Sequence, residues 1–230
     1  MAMVLEKVVP FGRSLDEYQK MFNLTDPDLA RPILGVGDGP ASFNAEGTKR
    51  GYAITSIDPI YEFTGDKIQA RFEAIVDDII AQVEATPDDW AWDYHGSPAG
   101  LRANREKVLA AFLEDYENGT QKGRYITAEL PVLPFQSKQF SLALCSHFLF
   151  LYSDHFDLEF HIQSIQEILR VADEVRIFPL LTLLLKRSPH LEPVIQHFQK
   201  AYAVSIQPVD YELQKGGNEM LVIREDTNMN

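Results

Sequence analysis

Apolar runs separated by a helical segment mark the first part of the chain. One run covers Pro32 to Val36 and leads into a glycine-rich turn, Gly37 to Pro40. A second run covers Tyr52 to Ile57 and ends at Asp58-Pro59. The stretch between the runs, about 15 residues, suits a crossover helix. A strand-helix-strand unit of this kind predicts parallel strands and an α/β fold.

Helical periodicity replaces this pattern from Gly65 to Gly123. Apolar residues three or four positions apart predict one helix, and Ser97 to Asn118 is predicted to form a second. The loop between them, Trp90 to His95, holds both tryptophans of the chain. Because such a segment is too long for a simple connection, residues 65–123 are predicted to form a helical insertion, or lid, within one domain that spans residues 1–230.

The second half of the chain returns to strand and helix signals. Strands are predicted at residues 124–127, 140–145, 174–179, 204–213 and 219–224, and helices at 158–171 and 189–202. The turn Gly216-Gly217-Asn218 predicts an antiparallel hairpin at the end of the sheet. Near the start, Ser14 and Glu17 predict a capping box on a helix that runs to Phe22. Asp154 is predicted to cap the helix that follows it.

Charge and composition restrict the partners of such a domain. The 230 residues include 34 Asp and Glu against 21 Lys and Arg, a formal net charge of −13, which disfavours a nucleic-acid partner. No stretch approaches the roughly 20 apolar residues that span a bilayer, so no membrane partner is expected. Residues 1–10 lack a secretory-signal pattern, and the single cysteine, Cys145, fits a reducing compartment. A cytoplasmic protein is expected.

The turn after the first apolar run carries the strongest chemical signal. Gly37 and Gly39 leave the backbone open to a ligand, and the amino terminus of the following helix favours an anion. Asp58 comes after the second run, 19 positions beyond Gly39, where a carboxylate can accept both hydroxyls of a ribose. The structural alternatives are a simple turn and a capping aspartate before Pro59.

Together these residues resemble the first motif of the class I S-adenosylmethionine-dependent methyltransferases, roughly Val-Leu-Asp-Leu-Gly-Cys-Gly-Pro-Gly. The resemblance continues at Leu133 to Phe135, at Phe140 to Ser146 and at Ile168 to Val171. It implies a Rossmann-like, mostly parallel sheet with flanking helices and a C-terminal antiparallel hairpin strand. It also implies S-adenosylmethionine as cofactor and methyl transfer to a small-molecule acceptor, and it leaves the acceptor and the oligomeric state open.

The resemblance also implies a set of cofactor contacts. These fall on Gly37, Asp38, Gly39, Asp58, Ile60, Glu129, Leu130 and Ser146. Asp58 would hold the ribose, and Glu129 with the amide of Leu130 would lie near the adenine. Gly35 stands where relatives have an aspartate. Cofactor binding therefore depends on whether Asp38 substitutes for it, and a non-catalytic, cofactor-binding or scaffold protein with the same fold is the alternative function.

Acceptor and catalytic residues are less strongly indicated. His147 follows the fourth strand at the sheet edge where α/β proteins bind ligands, so it is the candidate base if the acceptor must lose a proton. A histidine that only packs is the alternative. Trp90, Trp92 and Tyr94 form either an acceptor wall or the core of the insertion. The segment Phe11 to Ser14 either closes the cofactor pocket or belongs to an ordinary capped helix.

The sequence disfavours a metal site and a nicotinamide-dependent reductase. Several potential metal ligands lie within 15 residues of each other: His147, Asp154, His155, Asp157 and His161. Their spacing matches no zinc or iron helix motif, so no metal is expected. Tyr211 and Lys215 have the spacing of a nicotinamide-dependent reductase pair, but that pair requires a helix and here lies in a predicted strand.

Overall fold

One seven-stranded sheet forms the centre of the protein in the computed structural model, which describes residues 8–225. The strands are β1 Ile33–Val36, β2 Ile54–Ile57, β3 Tyr125–Ile126, β4 Phe140–Ser146, β5 Ala172–Phe178, β6 Tyr202–Pro208 and β7 Glu219–Glu225. Their order is β3-β2-β1-β4-β5-β7-β6. β1 to β5 are parallel, and β7 runs antiparallel between β5 and β6. The predicted Rossmann-like α/β fold with a C-terminal antiparallel strand is confirmed.

Helices cover both faces of this sheet. They are α1 Leu15–Met21, α2 Asp26–Leu29, α3 Phe43–Lys49, α4 Gly65–Glu84, α5 Pro98–Gln121, α6 Leu158–Val171 and α7 Leu191–Phe198. The two longest, α4 and α5, lie between β2 and β3 in the chain, which confirms the predicted helical insertion. Within residues 8–225, none of the helices has the length and apolar character needed to cross a membrane.

The sheet divides the apolar core into two layers. Along β4, Leu142 and Leu144 belong to one layer, whereas Ala143 and Cys145 belong to the other. Successive side chains of a strand point to opposite faces, so a strand covered on both sides reads as a continuous apolar run. Cys145 is fully buried there as a small apolar side chain.

Local capping decides where two of the helices begin. The Ser14 side chain accepts a hydrogen bond from the Glu17 amide, and the Glu17 carboxylate accepts one from the Ser14 amide, so the predicted capping box is confirmed. The cap predicted at Asp154 is wrong. α6 is capped by Asp157, whose carboxylate accepts a hydrogen bond from the Phe160 amide at 2.8 Å. Asp157 immediately precedes the helix, whereas Asp154 lies too far upstream to reach its first amides.

The connection between the last two strands differs from the prediction. β6 ends at Pro208 and not at Leu213, so residues 209–218 form a loop where a tight hairpin is predicted. The alternating apolar residues of this loop are buried in the layer of core that contains α1 and α5, and they include Tyr211 and Leu213. Their alternation imitates a strand because one side of the loop is buried against helices.

Candidate functional site

A cavity of about 530 Å³ lies at the carboxyl ends of β1, β2, β3 and β4. This volume falls within the range of about 300–1,000 Å³ that is usual for small-molecule sites. The lining includes every residue for which the sequence predicts a cofactor contact, together with the candidate base: Gly37, Asp38, Gly39, Asp58, Ile60, Glu129, Leu130, Ser146 and His147. The cavity lies where the strand order reverses between β1 and β4, the place where open α/β sheets bind ligands.

The glycine turn presents bare backbone to this cavity. Gly37 and Gly39 have φ angles of +67° and +53°, in the left-handed region that favours glycine. A Cβ atom on Gly37 would lie 3.3 Å from the Cβ of Phe148. The Gly39 amide donates a hydrogen bond to Asp58 Oδ2 at 2.8 Å. The turn therefore needs glycine for its backbone angles and is tied directly to the acid after β2.

Two backbone amides hold the carboxylate of Asp58. Oδ1 accepts from the Ile60 amide and Oδ2 from the Gly39 amide, both at 2.8 Å. Each oxygen keeps lone-pair capacity for one further donor. Burial raises the pKa of Asp58 to about 6, against the two amide hydrogen bonds, which favour the charged form. Asp58 forms no ion pair within residues 8–225.

Asp38 folds back over β1 and fills the space above Gly35. A Cβ atom on Gly35 would lie only 1.9 Å from Asp38 Oδ2. The carboxylate accepts hydrogen bonds from the Tyr18 hydroxyl and the Ser56 hydroxyl, both at 2.6 Å. Burial raises the pKa of Asp38 to about 7, helped by the charge of Asp58 and opposed by these two hydrogen bonds. A carboxylate thus occupies the space beside Gly35, although it comes from three positions later in the chain.

His147 adopts left-handed backbone angles directly after β4, with φ at +52°. Its amide donates to the Phe178 carbonyl at 2.6 Å, and its Nδ1 lies 2.9 Å from the Ser146 hydroxyl. Burial, together with the charges of Arg13 and Arg105, lowers the pKa of His147 well below its ordinary value. The ring is therefore neutral at pH 7, and its Nε2 has no hydrogen-bond partner in the described part of the chain.

A second, smaller cavity of about 80 Å³ adjoins the first. Its walls come mainly from α4, from the start of α5 and from loops: Ile79, Val83, Trp90, Leu101, Leu151, Tyr152, Leu183, Leu213 and Gln214. Four residues line both cavities, namely Val9, Phe11, Arg13 and His147. The two spaces therefore meet beside the candidate base.

The three aromatic residues predicted as an acceptor wall do not lie together. Trp90 is buried and lines the small cavity. Trp92 packs against the core and lines neither cavity, and the same holds for Tyr94. The Tyr94 hydroxyl instead donates to Asp16 at 2.6 Å. Of the three, only Trp90 is placed where it can contact a bound molecule.

The segment before α1 lies at the large cavity, which is one of the two positions predicted for Phe11 to Ser14, and it also brings Val8 to Pro10, which lie outside the predicted segment. Val8, Val9, Pro10 and Arg13 line the large cavity, and so does Tyr18 of α1. The capping box at Ser14 is the one local signal that could have placed them, because it fixes where the chain turns from this segment into the helix. Nothing in the local pattern indicates that the segment crosses the sheet edge.

A buried ionic group fastens this segment to the insertion. We call it the Glu17 cluster; it consists of Glu17, His95, Arg105 and Tyr211. Arg105 donates to both carboxylate oxygens of Glu17, at 2.7 and 2.8 Å, and to the Gly12 carbonyl at 3.0 Å. Tyr211 donates to Glu17 at 2.9 Å and lies 3.0 Å from His95 Nε2. Burial opposes ionisation of Glu17, but the charge and hydrogen bonds of Arg105 outweigh it and lower the pKa of Glu17 to about 2.

The histidine- and aspartate-rich stretch after β4 is held by the backbone. His161 Nδ1 lies 2.7 Å from the Asp157 carbonyl, and its Nε2 lies 3.1 Å from the Leu149 carbonyl. Within residues 8–225, no three His, Cys, Asp or Glu side chains are grouped so that they could hold a metal ion.

The strand order, the glycine turn after β1 and the acid after β2 agree with the Rossmann-like arrangement that the resemblance to the class I S-adenosylmethionine-dependent methyltransferases implies. No protein-family model matches the sequence. The uncharacterized protein MJ0045 of Methanocaldococcus jannaschii is 36% identical over 221 residues, which are 96% of this chain and 97% of that protein. The chain belongs to the family of that protein.

Some of the solved structures with a similar arrangement are methyltransferases by name. Magnesium protoporphyrin IX methyltransferase from Synechocystis PCC 6803, with bound S-adenosylmethionine, is 11% identical, with 87% of this chain and 73% of that chain covered and a TM-score of 0.46. A methyltransferase from Methanosarcina mazei is 12% identical, with 86% and 93% covered and a TM-score of 0.43. Similarities this distant carry no argument about ligand or activity.

Proposed function

We propose that this protein transfers the methyl group of S-adenosylmethionine to a small-molecule acceptor. The observation that carries the proposal is the convergence of the glycine turn, Asp58, Glu129 and His147 on one cavity at the switch point of the sheet. These residues come from four separate strand ends, which the fold brings together.

The residues present fit the cofactor. The two oxygens of Asp58 are held by amides so that each can accept one hydroxyl of a ribose. Asp38 and Asp58, which we call the acidic pair, form no ion pair within residues 8–225. Burial disfavours their charged forms, and a cationic ligand would favour them. Gly37 and Gly39 line the cavity and, having no side chain, present backbone to a ligand there. When bound, S-adenosylmethionine would supply a methyl group on a positively charged sulfur.

The chain contributes orientation, exclusion of water and a proton acceptor. Transfer of this kind is an in-line displacement, for which holding the reactants in line supplies much of the acceleration. Val9 and Phe11 cover the junction of the cavities with apolar surface. Neutral His147 accepts a proton from an acceptor that carries one, because its low pKa keeps the ring unprotonated at pH 7.

A non-catalytic protein that binds the cofactor is the second candidate. Gly35, in place of the aspartate of related motifs, favours it. The position of the Asp38 carboxylate above Gly35 weakens that argument, because a carboxylate is still present beside the strand. The two candidates differ in turnover: only the first moves a labelled methyl group from S-adenosylmethionine into a small-molecule cell extract.

Calorimetric titration with S-adenosylhomocysteine tests the cofactor. Asp58→Asn should weaken binding about 10- to 100-fold, because a charge-assisted hydrogen bond contributes roughly 1.5–3 kcal/mol. The matched control is Asp66→Asn, an exposed aspartate in the first turn of α4, which should leave the affinity unchanged. Failure of the unmodified protein to bind S-adenosylhomocysteine, or equal affinity in a folded Asp58→Asn variant, would contradict the proposal.

A further inference from the structure

Arg13 places a positive charge where the two cavities meet. Its Nε is buried and has no hydrogen-bond partner in the described part of the chain, while its Nη1 donates to the Phe11 carbonyl. Arg13 forms no ion pair with any carboxylate within residues 8–225. A partly buried cation without a counter-ion is unfavourable, and an anionic ligand would relieve this.

Arg105, in the same region, has a guanidinium group that is paired with a carboxylate. Both of its terminal nitrogens bind Glu17, and the pair is completely buried. Arg13 donates a hydrogen bond to no carboxylate within residues 8–225, although the charge of Glu17, which is already paired with Arg105, also acts on it. Burial and the charge of Arg105 lower the pKa of Arg13 to about 10, so it remains charged at pH 7. The positive charge facing the junction is therefore permanent under ordinary conditions.

The small cavity is an apolar space with one charged residue in its lining, Arg13. Its volume of about 80 Å³ is about half that of a cavity of about 150 Å³ that accommodates benzene. It therefore suits a branched aliphatic group of a few carbons. His147 and Gln214 are the uncharged polar residues at its edge, with the Tyr152 hydroxyl beside Val9.

We propose that Arg13 and the small cavity bind a short aliphatic carboxylic acid, with the carboxylate on the guanidinium and the carbon chain in the small cavity. The planar guanidinium can donate two parallel hydrogen bonds to a carboxylate, which gives orientation as well as affinity. This inference rests on the proposed function and names the class of its acceptor. The carboxylate would lie beside His147, facing the larger cavity. A carboxylate carries no proton at pH 7, so for this class of acceptor His147 is a neutral neighbour of the reacting group and not its base.

Isovalerate is the probe, and Trp90 is the reporter. Trp90 lines the small cavity, and Trp92→Phe leaves it as the only tryptophan of the chain. In this background, isovalerate should change the Trp90 emission saturably, with and without S-adenosylhomocysteine. Isovaleramide and isoamylamine have the same carbon branch without the negative charge, so each should bind at least about tenfold more weakly.

Substitutions at Arg13 separate the acceptor from the cofactor. Arg13→Gln should weaken isovalerate binding at least about tenfold, and Arg13→Lys should restore part of it because the charge remains. The matched control is Arg71→Gln, an exposed arginine that lines the large cavity and not the small one. Because Arg13 lines both cavities, the affinity for S-adenosylhomocysteine is measured for each Arg13 variant as well, and the loss of affinity for isovalerate should be the larger of the two.

Three results would overturn the inference. Equal binding of isovalerate and isovaleramide would remove the charge from recognition, and this comparison needs no variant. Isovalerate that leaves Trp90 emission unchanged would place it elsewhere. A loss of S-adenosylhomocysteine affinity in Arg13→Gln as large as the loss for isovalerate would assign Arg13 to the cofactor. Because isovalerate is also tested alone, failure of cofactor binding is distinguishable from failure of this site.

Discussion

Two groups of buried charged side chains are arranged in opposite ways. In the Glu17 cluster, Arg105 neutralises Glu17 and lowers the pKa of that carboxyl to about 2. In the acidic pair, Asp38 and Asp58 have only neutral donors, and burial raises their pKa to about 7 and about 6. The Glu17 cluster is compensated within the chain and stabilises the fold. The acidic pair is not compensated and lies beside a cavity, and such groups are candidates for ligand binding.

Removal of Arg105 should have the largest effect. Arg105→Met leaves Glu17 buried without its cation, which should reduce the free energy of unfolding by about 3–5 kcal/mol. Denaturant unfolding at pH 7 measures this. The double substitution Glu17→Leu with Arg105→Met should recover part of the loss, because the cluster then holds no unpaired charge, whereas the cap at Ser14 still lacks its Glu17 partner. Arg102→Met, on the exposed side of α5, is the control and should leave the midpoint unchanged. A single variant as stable as the unmodified protein would contradict the assigned role of the cluster.

The acidic pair should destabilise the unliganded protein at high pH. Asp38 binds its proton more tightly when folded, so the folded state carries more protons between about pH 4 and pH 7, and stability falls as pH rises through this window. A rise of about three in pKa corresponds to at most about 4 kcal/mol. Asp38→Asn should therefore be more stable than the unmodified protein at pH 8 and nearly equal at pH 4. A difference that does not depend on pH would show that Asp38 is not the titrating group.

Crowding beside Gly35 should give the smallest effect. In Gly35→Ala the new methyl group collides with the Asp38 carboxylate and should cost about 1–3 kcal/mol in thermal unfolding. Removing the carboxylate as well, in Gly35→Ala with Asp38→Ala, should make the alanine at position 35 nearly neutral when compared with Asp38→Ala alone. Additive effects in this double-mutant cycle would mean that the two positions do not share space.

The same comparison explains what the sequence could predict. The position of Asp58 at the cavity was predictable, because it follows a strand at a fixed distance from a glycine turn. The helical insertion was predictable because its periodicity is local. The partners of Glu17 were not predictable, because Arg105 and Tyr211 lie 88 and 194 positions away from it and share no sequence pattern with it. The position of Asp38 above Gly35 depends on a side-chain direction that no spacing encodes. Arg13 lies in the segment for which closure of the cofactor pocket is one prediction, but its lack of an ion-pair partner depends on packing and has no local signal in the sequence.

The separation of Glu17 from Tyr211 has a consequence for how the protein is made. Synthesis runs from the amino terminus, so Glu17 leaves the ribosome long before either of its partners exists. The Glu17 cluster fastens the segment that covers the cavity junction. The cluster is complete only once residue 211 has been added, because both Arg105 and Tyr211 donate hydrogen bonds to Glu17. Contacts of such long range form late and slowly in folding. A chain still under synthesis would therefore have most of its parallel strands but no finished binding pocket.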